Sequence, residues 1–154
     1  MFIRYTNRTV EIKDDNPQNP YNTQEFVKRM NQTVHLFDED YEGPAKAYSN
    51  ALVQDATRYN NFLDLCTEMS KQFTYLCGAL KSNGLSVSMP DYEVFLQEYE
   101  KIKKYNDRDF VMAIQKEVKL LEDSMRYSID RNIKTAKTYG IPLTKPNPNP
   151  TLTK

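Results

Sequence analysis

Residues 44–81 carry a helical pattern that limits the fold of this chain more than any other feature of its sequence. Apolar side chains recur there in alternating steps of four and three residues, which is the spacing of one helix face. The stripe consists of Leu52, Ala56, Tyr59, Leu63, Cys66, Ser70, Phe73, Cys77 and Leu80, widened by Phe62, Met69 and Leu76. Because polar residues such as Gln54 and Glu68 lie opposite it, the pattern predicts a helix of about 38 residues, which would be about 57 Å long if unbroken. Such a rod does not fit a compact sphere of this mass, so either the molecule is elongated or this helix kinks.

Three more segments show this periodicity between recognisable helix ends. Helices are expected to begin after Asn22, at Pro90-Asp91, and after Asn106 or Asp107. The helix over residues 44–81 is expected to stop at Gly84, and the last helix at Gly140. Their apolar faces are Phe26, Met30, Val34 and Phe37; Tyr92, Phe95, Leu96, Tyr99 and Ile102; and Phe110, Ile114, Val118, Leu121, Met125, Ile129, Ile133 and Ala136. The sequence therefore predicts a mainly α protein, an elongated antiparallel bundle of four helices (two of them long) over residues 23–140.

The first 13 residues alternate between apolar and polar side chains and are predicted to form a small β-hairpin or, alternatively, one extended arm. A turn at Asn7-Arg8 would pair Arg4 with Glu11 and Ile3 with Ile12. A two-stranded hairpin is marginal in water by itself. We therefore expect it to lie on the helices or to join a partner's sheet, and we expect residues 14–22 to form a loop.

The C-terminal tail, residues 141–154, contains Pro142, Pro146, Pro148 and Pro150. Proline excludes a helix interior and a central strand. The tail is therefore predicted to be an extended, polyproline-like arm.

Composition excludes several classes of protein. Leu, Ile, Val and Phe make up 34 of the 154 residues and the net charge is zero, which predicts a folded domain with a thin core, or one completed by a partner. No apolar run is long enough to span a bilayer, the first residues do not read as a secretory signal, and there is no basic excess typical of a dedicated nucleic-acid binder. Two cysteines do not make a disulfide framework, which favours a reducing intracellular (cytoplasmic) location. The inside of a viral particle is the alternative location.

No catalytic, metal or cofactor site is predicted. His35 is the only histidine, and the four glycines are scattered, which leaves no phosphate-binding loop. Cys66 and Cys77 are about 16 Å apart along one helix, too far for a disulfide, and we expect them to pack as core residues. The acidic cluster at residues 38–42 lacks the glycine and spacing of a calcium loop. The carboxyl pairs Asp107/Asp109 and Glu122/Asp123 are typical of solvated helix charges.

The basic stretch Arg131, Lys134 and Lys137 continues into the tail without any acidic residue. It is the candidate phosphate or anion contact of the chain. The alternative, which we favour, is that these cations complement the helix dipole.

The aromatic residues point to an interaction surface, because 11 Tyr and 7 Phe exceed what a thin bundle can bury. The candidate protein-interface residues are Tyr5, Leu65, Tyr75, Leu120, Tyr127, Pro146, Pro148 and Pro150. The sequence thus favours a non-enzymatic structural or assembly subunit, such as a component of a phage or viral particle, that binds protein partners or copies of itself. Two alternatives stay open: a small inhibitor or adaptor that occludes one partner protein, and a weak nucleic-acid-associated protein.

Overall fold

The computed structural model describes residues 1–4, 9–13, 18–34 and 44–144, with the side chains of residues 44–51 left out. The elements are β1 (Phe2–Arg4), β2 (Thr9–Glu11), α1 (Thr23–Thr33), α2 (Pro44–Thr74), α3 (Leu76–Ser82), α4 (Tyr92–Ile102) and α5 (Asp107–Thr138). The protein is thus mainly helical, with a small antiparallel two-stranded sheet at the N-terminus, as predicted. In the described part of the chain there are five helices rather than four.

The fifth helix arises because the predicted 44–81 helix is interrupted at Tyr75. The backbone there turns to φ −134° and ψ −59°, which separates the 31-residue α2 from the seven-residue α3. Neither proline nor glycine occupies position 75. The apolar stripe continues across the break, since Leu76, Cys77 and Leu80 remain buried.

The predicted helix starts are confirmed. The side chains of Asn22, Asp91 and Asn106 each accept a hydrogen bond from the backbone N–H three residues on, at 3.2, 3.4 and 2.9 Å respectively. Each oxygen satisfies one of the N–H groups that a helix start leaves without an intrahelical partner.

The predicted stops at Gly84 and Gly140 are also confirmed. Both glycines adopt the left-handed conformation, with φ of 72° and 69°. This conformation has a higher free energy for a residue with a Cβ than for glycine. The following residues, Leu85 and Ile141, each donate to the carbonyl five positions back, at 2.9 and 2.8 Å. Their side chains then pack on a small apolar cluster that joins the ends of α3 and α5.

The core lies chiefly between α2 and α5, which run parallel: the Cys66 Sγ lies 3.8 Å from the Met125 Sδ, and Gln72 further along α2 bonds the Ile129 carbonyl at 3.3 Å. Most predicted core positions on these two helices are buried, and Ser70, Phe73 and Ile133 are half-buried.

On α4, one predicted core position is wrong. Leu96 is 38% exposed, whereas Tyr99 and Ile102 are buried. Other elements pack only against the side of α4 that faces the core between α1 and α5. The rest of its apolar face, which includes Leu96, stays exposed to solvent. The Tyr99 ring lies against Tyr21 and Phe110 there, with centroids 4.9 and 6.4 Å away.

The predicted hairpin forms, but its predicted register is wrong by two residues. Ile3 pairs with Val10 and Arg4 with Thr9, so the expected Arg4–Glu11 pair does not form. A two-residue shift keeps every side chain on the same face of the pleat. For that reason Ile3 and Ile12 are still fully buried, and the apolar pattern could not separate the two registers.

The hairpin lies on the helices rather than standing alone. Asn31 of α1 accepts from the Arg4 N–H and donates to the Phe2 carbonyl, both at 3.0 Å. From α2, the Asn60 amide donates to the Glu11 carbonyl at 2.9 Å. These contacts pair backbone groups of both strands and hold the sheet against the core.

Candidate functional site

A buried amide network ties the region around the Tyr75 break to α5. The Asn132 side chain is fully buried; its Oδ1 accepts from the Ser88 N–H at 2.7 Å, and its Nδ2 donates to the Ser88 carbonyl at 3.1 Å. The same amide nitrogen lies 3.3 Å from the Gln72 Oε1 and 3.8 Å from the Cys77 Sγ. One side chain thereby fixes the end of α2, the start of α3 and the loop before α4.

Replacing Asn132 with alanine is expected to lower the free energy of unfolding by about 2 kcal/mol, because it leaves the Ser88 backbone groups and the Gln72 amide with fewer partners. Urea unfolding measures the loss. Asn61, exposed on the outer face of α2, gives the matched control, and Asn61→Ala should change stability by less than about 0.5 kcal/mol. Equal effects of the two substitutions would show that the network contributes nothing.

An open groove of about 650 Å³ runs along the outer side of this break. We call it the terminal groove. Its lining residues are Thr74, Tyr75, Gly78, Ala79, Ser82, Asn83, Tyr139, Gly140, Ile141 and Pro142. It therefore lies where α3 and the last turn of α5 meet, at the start of the C-terminal tail.

The interface residues predicted from the sequence fall into four groups. Tyr75 is half-buried and lines the terminal groove. Leu65 is half-buried and packs against the main core, so it offers little free surface. Leu120 and Tyr127 are exposed on α5. Tyr5, Pro146, Pro148 and Pro150 lie outside the described residues, and so do His35 and the acidic cluster at residues 38–42.

The exposed face of α5 carries an apolar row that we call the outer stripe: Met112, Leu120 and Tyr127, which are 54%, 47% and 65% exposed. At 100° per residue these positions fall within one side of the helix. They cover about 22 Å of its length. Lys119 and Asp123 lie on the same side, with their charged atoms 3.6 Å apart, so the stripe alternates apolar and charged groups.

The basic stretch is exposed, as an anion contact would require, but it is not free of negative charge. Lys134 and Lys137 line a shallow pocket of about 490 Å³ together with Asp130, Ile133 and Thr138. The Asp130 carboxylate reduces the positive potential that a phosphate would meet. Arg131 is also exposed. It is adjacent to Asp130 in the sequence but is not one of the residues that line this pocket.

The two cysteines are buried in the core, as predicted. Burial raises the pKa of Cys66 to about 12 and raises the pKa of Cys77 above its usual value. Both side chains are therefore neutral thiols at physiological pH, whereas a nucleophile needs the thiolate. Cys66 instead contacts the sulfur of Met125, which is a packing role.

Of the four carboxylates in the two predicted pairs, Asp107, Glu122 and Asp123 are engaged in ion pairs, and Asp109 accepts a hydrogen bond from the Asn106 Nδ2 at 3.1 Å. Asp107 lies 3.3 Å from the Nε of Arg29, and Glu122 lies 3.3 Å from the Nη2 of Arg126. Within the described ranges there is no group of three side chains able to hold a metal ion. In the same part of the chain, no helix combines the length and apolar character needed to cross a membrane.

Sequence reasoning missed the buried polar groups. Besides Asn132, the core contains Asp55, Glu117 and Gln72, at 1%, 6% and 5% exposure. Glu117 accepts a hydrogen bond from the Tyr21 hydroxyl at 3.3 Å, and burial raises its pKa. The sequence contained one indication of this burial. Asp55 lies on the same side of α2 as Leu52 and Tyr59, so its carboxylate interrupts the apolar face.

Comparison with known proteins gives no relative. The chain matches no protein-family model, no curated protein and no solved structure. Function must therefore be inferred from the surface and the chemistry described above.

Proposed function

We propose that this chain is a non-enzymatic structural subunit that associates with copies of itself through the outer stripe of α5. In this proposal the helices form an elongated bundle, in which α2 and α3 together count as one rod. The predicted antiparallel arrangement does not hold for the two long helices, because α2 and α5 run parallel. The bundle acts as a strut, and the terminal arms connect neighbouring subunits.

The exposure of the outer stripe is the observation that carries this proposal. Tyr127 is 65% exposed and Leu120 is 47% exposed, although burying large apolar groups is the main source of stability in protein association. Aromatic residues and methionine are enriched at interfaces. A row of this kind on a helix of 32 residues fits a partner helix better than a small ligand.

The charge of the chain supports self-association. Its net charge is zero, so copies do not repel each other at long range. Neighbouring cations and anions such as Lys119 and Asp123 can also pair across an interface between antiparallel copies of α5.

The experiment is light scattering of the full chain over a wide concentration range. The native chain should have a mass above the 18.1 kDa of one copy, and this mass should rise with concentration. The double variant Leu120→Gln/Tyr127→Gln should weaken association at least about thirtyfold, since it removes two interface anchors without changing net charge. The matched control Glu68→Gln/Lys71→Gln, on the exposed outer face of α2, should leave association unchanged.

A native mass of 18.1 kDa at every concentration would overturn the proposal. The inhibitor or adaptor function, with one-to-one binding to a different protein, would then take its place. Association that the double variant does not weaken would instead remove the outer stripe from the interface.

A further inference from the structure

Two charged residues, Lys116 and Asp123, lie on the same face of α5 as the outer stripe. At about 100° per residue the outer stripe spans an arc of about 80°, and both charged residues fall inside that arc. Both side chains are exposed. The arc is centred opposite Met125, which is fully buried, so the packed core leaves this face of α5 open to a partner.

The order of the residues on this face is complementary to its own reverse. Met112 and Tyr127 lie at equal distances from the point between positions 119 and 120, and so do Lys116 and Asp123. A two-fold axis at that point, relating two antiparallel copies of α5, brings each Met112 opposite the Tyr127 of the other copy. It also brings each Lys116 opposite the Asp123 of the other copy, and it places Leu120 beside the axis.

The contacts formed in this arrangement are favourable. Methionine sulfur packs well against an aromatic ring, and both Met112 and Tyr127 are more than half exposed in the single chain. Opposite charges that face each other across an interface fix its register. The Asp123 carboxylate already lies 3.6 Å from the Lys119 ammonium of its own helix, so it gains a second cation. A surface that complements itself in this way is what a two-fold axis requires.

The charges also argue against other arrangements of two α5 helices. A shift of one heptad in either direction places identical charges on the axis, either Asp123 against Asp123 or Lys116 against Lys116. A parallel pair in register brings the same like charges together. Like charges that face each other oppose association. The charge pattern therefore favours the antiparallel register centred between positions 119 and 120.

The same face also sets the length of the contact. Residues 112–127 cover about 22 Å of helix. The next residues outward on this face are Asp109 and Asp130, which face each other about 16 Å from the axis. Two helices that cross at about 20–50° have begun to separate at that distance. These carboxylates therefore limit the contact to residues 112–127.

We infer that two copies of this chain pack α5 against α5, antiparallel, about a two-fold axis between positions 119 and 120. This inference rests on the proposed self-association through the outer stripe, and it adds the partner surface and the register. The outer stripe of one copy thus binds the outer stripe of a second copy, and the contact closes as a dimer.

Charge reversal tests the register. Lys116→Glu and Asp123→Lys each place like charges opposite one another at two points of the interface. Either variant alone should therefore associate at least about tenfold more weakly than the native chain. In an equimolar mixture the mixed dimer pairs opposite charges again, and association should return to within about threefold of the native value. Analytical ultracentrifugation measures the Kd in each case.

The composition of the dimers gives a second readout. With one variant labelled with ¹⁵N, native mass spectrometry of the mixture should find mixed dimers in at least about tenfold excess over either homodimer. The matched control is Lys71→Glu mixed with Glu68→Lys, on the exposed outer face of α2, which makes the same changes of net charge. Each control variant should associate like the native chain. Native-like association of the single α5 variants, or mixed dimers in statistical proportion, would overturn the register.

A disulfide experiment measures the same geometry directly. Chains carrying Met112→Cys and chains carrying Tyr127→Cys, of different isotope, are mixed and mildly oxidised. The disulfide should join position 112 of one isotope to position 127 of the other, because these positions face each other. Cys66 and Cys77 do not compete, since both are buried. Disulfides between two copies of position 112, which are about 22 Å apart in the inferred register, would show a parallel pair instead.

The two proposals can fail separately. Association that Leu120→Gln/Tyr127→Gln weakens, while charge reversal has no effect, refutes the register and leaves the outer stripe as the interface. A native chain that stays monomeric at every concentration refutes both.

Discussion

Raising the pH from about 4 to about 8 is expected to lower the free energy of unfolding by roughly 5 kcal/mol through one carboxyl group, that of Asp55. The side chain is 1% exposed on α2. Neither of its oxygens has a hydrogen-bond partner in the structure as described. Burial raises the pKa of Asp55 from its usual 3.8 to about 8, against a smaller opposing effect of the Arg58 charge.

The sign follows from the two protonation states. Between pH 4 and pH 8 the folded chain keeps the Asp55 proton, whereas the unfolded chain has released it. Folding therefore takes up a proton in this window, and stability falls as the pH rises. Below the window both states are protonated and above it both are ionised, so this group makes no further contribution to the slope.

Urea unfolding at a series of pH values between 4 and 9 measures the effect. Asp55→Asn keeps the shape of the side chain without its titration, and should remove most of the slope. A small slope should remain because burial also raises the pKa of Glu117. Asp64→Asn, at an exposed position of the same helix, should leave the slope as in the native chain. A full slope in Asp55→Asn would refute the assignment.

Replacing Arg29 with alanine is expected to lower the free energy of unfolding by about 3 kcal/mol. Its Nη1 and Nη2 donate to the carbonyls of Lys103 and Tyr105, at 2.8 and 2.6 Å. Its Nε lies 3.3 Å from the Asp107 carboxylate, without the alignment of a hydrogen bond. The guanidinium carbon lies 4.4 Å from the centre of the Phe110 ring.

These contacts place one α1 side chain between the end of α4 and the start of α5. Carbonyls at the end of a helix have no intrahelical donor, and a cation there also opposes the helix dipole favourably. The planar fork of arginine reaches two carbonyls while it stacks on the ring. Its removal therefore loses the closure of the α4–α5 turn together with the contact to α1.

Arg29→Lys separates geometry from charge. A single ammonium group cannot bond both carbonyls and stack on Phe110, so lysine should recover less than half of the loss. Lys28→Ala, at the exposed neighbouring position, should cost less than about 0.5 kcal/mol. Thermal unfolding of the four proteins gives the comparison, and a lysine variant as stable as the native chain would contradict the proposed fork.

The sequence by itself determined the local part of this structure. The apolar positions of α2 and α5 and the caps at Asn22, Asn106, Gly84 and Gly140 depend on side-chain spacing and on backbone conformation within a few residues. Side-chain spacing and local backbone conformation both depend on residues close together in the sequence, so the sequence alone predicts them. The exposure of Leu120 and Tyr127 followed from the same helical period.

Tertiary structure alone decided the hairpin register and the burial of Asp55. Two registers that differ by two residues present the same faces, and contacts with Asn31 and Asn60 distinguish them. The terminal groove likewise needs residues from positions 74–83 and 139–142. These features depend on contacts between residues far apart in the chain. Such contacts form only in the folded protein, so the local sequence pattern does not predict them.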